Sequence, residues 1–117
     1  RNPWVGISGA TISPAMVEAL DLPVETGVLI YTVEPDSPAE AAGLQGGNQQ
    51  ISLSGTPVTA GGDILVAIEG TDVTRFDDLV NYLASNTSVG DTITLTILRS
   101  GERMEVPVTL QERPSDR

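Results

Sequence analysis

Asp77 and Asp78 come nearest in type and spacing to catalytic machinery, because two positioned carboxylates can share general acid and base work. They are adjacent in the chain, and neighbours on a helix do not face one another. They therefore read as the solvated start of a helix. The serines and threonines have no activating partner: the chain contains no histidine for a Ser-His-Asp arrangement and no lysine for a Ser-Lys dyad. It has no cysteine, which removes thiolate nucleophiles, disulfides and Cys-type zinc sites. No Gly-x-x-x-x-Gly-Lys segment exists to cradle phosphate. The acids lack the spacing of a calcium loop, so no metal is implied, and no cofactor either. Asn86-Thr87-Ser88 fits a glycosylation sequon, a pattern short enough to arise by chance. The expectation is a chain with no catalytic residues of its own.

The charge balance excludes further classes. Sixteen acids against six arginines give a net charge of −10 over 117 residues. A nucleic-acid binder needs a basic footprint, and an anionic membrane surface attracts basic segments, so both partners are disfavoured. No apolar run approaches the ~20 residues of a membrane span. No signal peptide is visible, and the chain begins abruptly at Arg1-Asn2-Pro3, as an excised domain would. The length suits one domain with one core.

The elements that must position any site can be read from pattern. Trp4 to Ala10 reads as a strand containing Gly6 and Gly9. Ser13-Pro14 starts a short helix with Met16, Val17 and Leu20 on its apolar face. Gly27 to Glu34 reads as a buried strand, and Ser37-Pro38-Ala39-Glu40 as a capping box opening a helix that stops at Gly43. Within the polar stretch Gln45 to Gly62, Ile51 to Gly55 and Pro57 to Thr59 form a small hairpin. Asp63 to Glu69 is a central strand, followed by a turn and a brief strand at Val73. Thr74 caps a helix from Arg75 to about Asn86 whose Phe76, Leu79, Val80 and Leu83 share a face. Ile93, Leu95 and Ile97 alternate with threonines, Ser100-Gly101 turns, and Val106, Val108 and Leu110 alternate on the way back. Pro107 cannot donate to a ladder, which puts that strand at an edge. The class is mainly β or α+β.

Four segments in this order carry a resemblance. Trp4-Val5-Gly6-Ile7, the Ser37-Pro38-Ala39 to Ala42-Gly43-Leu44 stretch, Gly62-Asp63-Ile64 to Ile68-Glu69-Gly70, and Phe76-Asp77-Asp78-Leu79 resemble the PDZ domain of HtrA/DegP-type, trypsin-like serine proteases. The resemblance covers about residues 4–111. It implies one PDZ domain over residues 1–117, with residues 112–117 as a tail. The implied fold is a partly open antiparallel β-barrel of five to six strands, capped by two or three helices, in the circularly permuted bacterial topology. Family members run from "AGL" almost directly into "GD". Here Gln45 to Ala60 intervene and read as an inserted surface hairpin, which a loop tolerates at modest entropic cost.

The resemblance also implies a site. Trp4, Val5, Gly6 and Ile7 stand where the family binds a peptide's terminal carboxylate, with the amides of Val5, Gly6 and Ile7 as donors, a task that needs no basic side chain. Gly6 permits the sharp turn. The peptide would add as a strand beside Ile7, Ser8 and Gly9, with Phe76, Val80 and Leu83 facing it from the long helix. Val5, Ile7 and Leu83 would hold its last side chain. Asp77 and Asp78, at the start of that helix, predict a negative groove that prefers basic upstream ligand residues. The expected function is to grip C-terminal or extended segments of peptides or unfolded proteins for a linked serine endopeptidase outside this chain, in an extracytoplasmic compartment. The alternative is an assembly domain whose groove binds a neighbouring subunit.

Overall fold

A computed structural model describes residues 3–113. Arg1, Asn2 and the end of the expected tail from Pro114 to Arg117 lie outside the described residues. The expected first strand is two: β1 (Pro3–Trp4) and β2 (Ile7–Thr11), separated by Val5-Gly6. Gly6 has φ +90°, a left-handed value that takes the chain out of extended geometry.

The chain continues through α1 (Pro14–Leu20), β3 (Val28–Val33), α2 (Pro38–Ala42), β4 (Gln49–Leu53), β5 (Thr56–Ala60), β6 (Ile64–Ile68) and β7 (Thr71–Asp72). It ends with α3 (Phe76–Asn86), β8 (Thr92–Arg99), β9 (Glu102–Thr109) and β10 (Gln111–Glu112). The main sheet has six strands in the order β2-β3-β6-β8-β9, with β7 paired to β6. All its pairings are antiparallel, and it is open, with β2 and β9 as its edges. Pro107 thus lies on an edge strand, as its missing donor requires.

Two small ladders flank this sheet. The β4–β5 hairpin pairs on its own, from Gln49↔Ala60 to Leu53↔Thr56. The other ladder joins the two ends of the described chain: Pro3 pairs with Glu112 and Trp4 with Gln111. Glu112, expected in the tail, is therefore a strand residue. The brief strand expected at Val73 ends at Asp72, and Val73 itself is buried, its N–H donating to the Val66 carbonyl.

The two faces of the sheet carry two apolar clusters. One gathers Val5, Val28, Leu65, Leu79, Leu83, Leu95, Ile97 and Val108 beneath α3 and α2. The other packs Met16 of α1 and Val58 of the hairpin onto Ile12, Leu29 and Ile64. Fully burying side chains of this size contributes about 1.5–3 kcal/mol each. The hairpin thus covers sheet surface in addition to extending a loop.

Helix ends follow side-chain chemistry. Ser13 Oγ accepts from Met16 N–H at 3.3 Å. Ser37 Oγ accepts from Glu40 N–H at 3.1 Å, while Glu40 accepts from Asp36 N–H rather than from Ser37, one residue earlier than a capping box predicts. At α3 the N-cap is Arg75, not Thr74. Asp78 accepts from Thr74 N–H, the Thr74 hydroxyl and Arg75 N–H, so its carboxylate ties down the residues before the helix, and the Thr74 hydroxyl donates where a cap would accept.

Candidate functional site

A groove of about 390 Å³ opens between β2 and α3. Trp4, Val5, Gly6 and Ile7 line one side, and Phe76, Val80 and Leu83 line the other, so the structure brings these expected site residues together. Leu79, Ala84, Pro3 and Arg113 complete the lining and were not anticipated as site residues. Leu79 and Ala84 lie at helical spacing with the expected three, a signal available from periodicity. Arg113 reaches the groove through the β1–β10 ladder, which no local pattern reveals.

The lining residues divide between core and surface. Val5 is 2% exposed and Leu83 7%, so both mainly hold the core together and offer only an edge to the groove. Ile7 and Phe76 are half-buried against the same cluster. Val80 is 49% exposed, the exposed large hydrophobic residue among those described, and it stands on the groove wall.

The loop is held by its carbonyls. Ala39 N–H, in the first turn of α2, donates to the Val5 carbonyl at 2.9 Å, and Glu34 N–H donates to the Gly6 carbonyl at 2.8 Å. In a trans peptide the C=O and the following N–H point in opposite directions. Anchoring those two carbonyls therefore turns the amides of Gly6 and Ile7 the other way, side by side. The same argument does not extend to the amide of Val5. Beneath the loop lies Ser37, buried, its hydroxyl donating to the Glu34 carbonyl at 2.7 Å. A Cβ on Gly6 would run into the Ser37 side chain and lie 3.3 Å from Trp4 Cζ2, so this position needs glycine on space as well as on φ.

The ladder determines which backbone groups β2 offers outward. Antiparallel partners alternate between bonded and non-bonded pairs. Gly6 accepts from Glu34, so Ile7↔Val33 is a non-bonded pair and Ser8↔Thr32 a bonded one. After a bulge in which Tyr31 is the extra residue, Ile12 N–H donates to Gly27, which makes Gly9↔Ile30 non-bonded. The N–H and C=O of Ile7 and Gly9 thus face the free edge. Those of Ser8 face β3, so Ser8 offers the edge no backbone group, and its exposed side chain projects from the face of the sheet. A Cβ on Gly9 would meet the Leu29 carbonyl, which explains glycine there.

The two acids stand on different sides of α3: Asp77 is one turn before the groove-lining Val80, whereas Asp78 is turned elsewhere. Asp78 lies beside Tyr82, Asn81 and Ser85, on the helix face away from the groove, and neither it nor Asp77 is in the lining. Hydrogen bonds from Thr74, backbone first and hydroxyl second, hold the Asp78 carboxyl below its ordinary value. Neither acid contacts the groove itself; among the described residues the ionisable lining residue is Arg113. Asp63, 1% exposed, is structural. It receives Arg99 Nε at 2.9 Å and Arg99 Nη2 at 2.7 Å, and accepts Gln45 N–H at 2.9 Å. Among the described residues no group of three His, Cys, Asp or Glu side chains is placed to hold a metal ion.

This geometry agrees with the relationships of the sequence. The profile of the PDZ domain family matches residues 11–110. The chain belongs to the PDZ family. Relatives of this PDZ domain include a probable periplasmic serine endoprotease, DegP-like, from Marinomonas sp., 27% identical over 97% of the chain and 21% of the relative. Protease Do-like 1, chloroplastic, from Arabidopsis thaliana is 33% identical over 78% of the chain and 20% of the relative. The PDZ domain thus spans about a fifth of the length of these curated relatives. Among solved structures, the HtrA3 PDZ domain bound to a phage-derived ligand (FGRWV) superposes with a TM-score of 0.70 at 20% identity, covering 93% of this chain and 85% of that one. The HtrA-type protease AlgW with decapeptide gives a TM-score of 0.76 at 22% identity, covering 98% and 30%. At these identities the likeness speaks for the fold.

Proposed function

We propose that the groove between β2 and α3 binds the C-terminal or extended segment of a peptide or unfolded protein, and that this PDZ domain is the recognition module of a larger HtrA-type serine endopeptidase. The observation that carries this reading is an open strand edge facing an apolar wall. Ile7 and Gly9 present unpaired backbone groups along β2, and Phe76, Val80 and Leu83 stand opposite. A peptide laid between them gains main-chain bonds on one side and side-chain pockets on the other.

The roles follow from position. The amides of Gly6 and Ile7 receive the peptide's terminal oxygens. Ile7 and the exposed edge of Leu83 contact its last side chain, and Phe76 and Val80 contact upstream ones. Trp4 flanks the loop, and the buried Val5 anchors it to the core. The module would hold substrate near, or signal to, a protease domain lying elsewhere in the parent chain. The relatives named as periplasmic support an extracytoplasmic site of action. No helix among the described residues is long and apolar enough to cross a membrane.

Calorimetric titration tests the reading. Peptides with an apolar last residue and a free carboxyl end should bind the chain, and Ile7→Asp should abolish binding by setting a carboxylate against the ligand's own. No binding by the unmodified chain across a library of C-terminal peptides would overturn it.

A further inference from the structure

Acids outnumber arginines sixteen to six in this chain. Yet among the described residues the groove lining contains no Asp or Glu, and its one ionisable side chain is Arg113. Arg113 arrives there by construction. The β1–β10 ladder pairs Trp4 with Gln111 and Pro3 with Glu112, and so delivers the next residue to the end of the groove where Pro3 and Trp4 precede the Val5-Gly6-Ile7 loop. Arg99, by contrast, is committed to the buried Asp63. Arg113 is exposed and belongs to no ion pair found among the described residues.

We infer that Arg113 is the charge-selecting residue of this groove, recognising a carboxylate carried at the C-terminal end of a bound peptide. This rests on the groove reading above and adds to it the residue that sets the sign of the ligand. A guanidinium presents a planar fork of donors that matches a carboxylate. Apolar walls and a partly covered ligand leave its field less screened than that of a charge on an open surface. The amides of Gly6 and Ile7 supply direction, and Arg113 supplies net charge, which a domain at −10 otherwise turns against any anionic ligand. The carboxylate has two sources with one chemistry: the terminal carboxyl group itself, or an Asp or Glu side chain beside it.

Four pentapeptides ending in the same apolar residue test this. They have either a free or an amidated C-terminus, and either Glu or Gln at the penultimate position. They are titrated against the unmodified chain, Arg113→Gln and Arg113→Lys, at low salt and at high salt. The expected result is a loss of about 2–5-fold for carboxylate-bearing peptides with Arg113→Gln, about the size of one exposed charge pair. Arg113→Lys should restore part of it, salt should shrink it, and the amidated Gln peptide should show no loss. A loss confined to free-acid peptides assigns the terminal carboxyl, and one following Glu assigns the side chain. Binding by the unmodified chain that Arg113→Gln leaves unchanged overturns the role of Arg113 alone. An equal loss for all four peptides, the neutral one included, overturns it too, since the residue then acts by packing. If the unmodified chain binds none of them, the groove reading falls and the inference with it.

Discussion

The hydroxyl of Thr11 accepts the N–H of Phe76 at 3.0 Å. Thr11 is the last residue of β2 and Phe76 the first of α3, so a single bond across 65 positions of sequence ties the two walls of the groove together at one end. It also satisfies one of the amides that a helix N-terminus leaves without an intrahelical partner. Replacing Thr11 by Val keeps the shape and removes the acceptor. The expected cost is about 0.5–1.5 kcal/mol of stability, with weaker peptide binding as the helix start loosens. Denaturant melts and titration of the variant check this; unchanged values in both would mean the bond does not brace the groove.

Gly6→Ala should be far more damaging than an exposed loop change. The left-handed φ and the contact with Ser37 act together, and each is of the order of 1–3 kcal/mol in strained sites. The loop must shift to relieve them, which swings the Gly6 and Ile7 amides away. Peptide affinity should fall at least tenfold while a folded thermal transition persists at lower temperature. A variant with full affinity would show that the loop amides are not donors to the ligand.

Arg99→Met should destabilise the fold by about 3–5 kcal/mol, because it leaves the buried Asp63 carboxylate without its charged partner. The bond from Arg99 Nη2 to the Gly43 carbonyl at 2.9 Å is lost as well. The double variant Asp63→Asn, Arg99→Met should recover part of the loss, since no unpaired charge remains. Urea melts of the unmodified chain, both single variants and the double variant measure it; additive losses would contradict coupling.

Acid should weaken the start of α3. The Asp78 carboxyl is held below its ordinary value, 3.8, chiefly by bonds from Thr74. A group whose folded value is depressed binds protons more readily when unfolded. Its contribution is therefore present above pH 3.8 and lost as the pH falls through the folded value. The stability gap between the unmodified chain and Asp78→Asn should be full near neutral pH and narrow below about pH 4. A gap that stays constant down to pH 2.5 would show that the carboxylate's ionisation is irrelevant there.

Much of this was legible before any coordinates. Helix starts at Ser13-Pro14 and Ser37-Pro38, the Ile93-Leu95-Ile97 alternation and the edge position of Pro107 all depend on local chemistry, and the structure shows each of them. The loop Trp4 to Ile7 and the helix face of Phe76, Val80 and Leu83 were likewise placed around one groove. What the pattern missed depends on long-range pairing. The β1–β10 ladder joins residues about a chain length apart, and with it Arg113 enters the site. The ladder phase that turns Ser8 inward and Ile7 and Gly9 outward depends on the Glu34 to Gly6 bond, which no periodicity encodes. A threonine just before a helix predicts a cap at Thr74, but the observed bonds run from Thr74 to Asp78, a choice between acceptors that sequence spacing does not decide.

Amide hydrogen exchange, read residue by residue with and without a saturating free-acid peptide, tests strand addition in this groove most directly. The account predicts new protection at Gly6, Ile7 and Gly9, whose N–H groups face the loop and the free edge, and little change at Ser8, whose N–H is already engaged with β3. Protection that appears at Ser8 as much as at Ile7, or that lies instead around the second concavity between α1 and the β4–β5 hairpin, would contradict it.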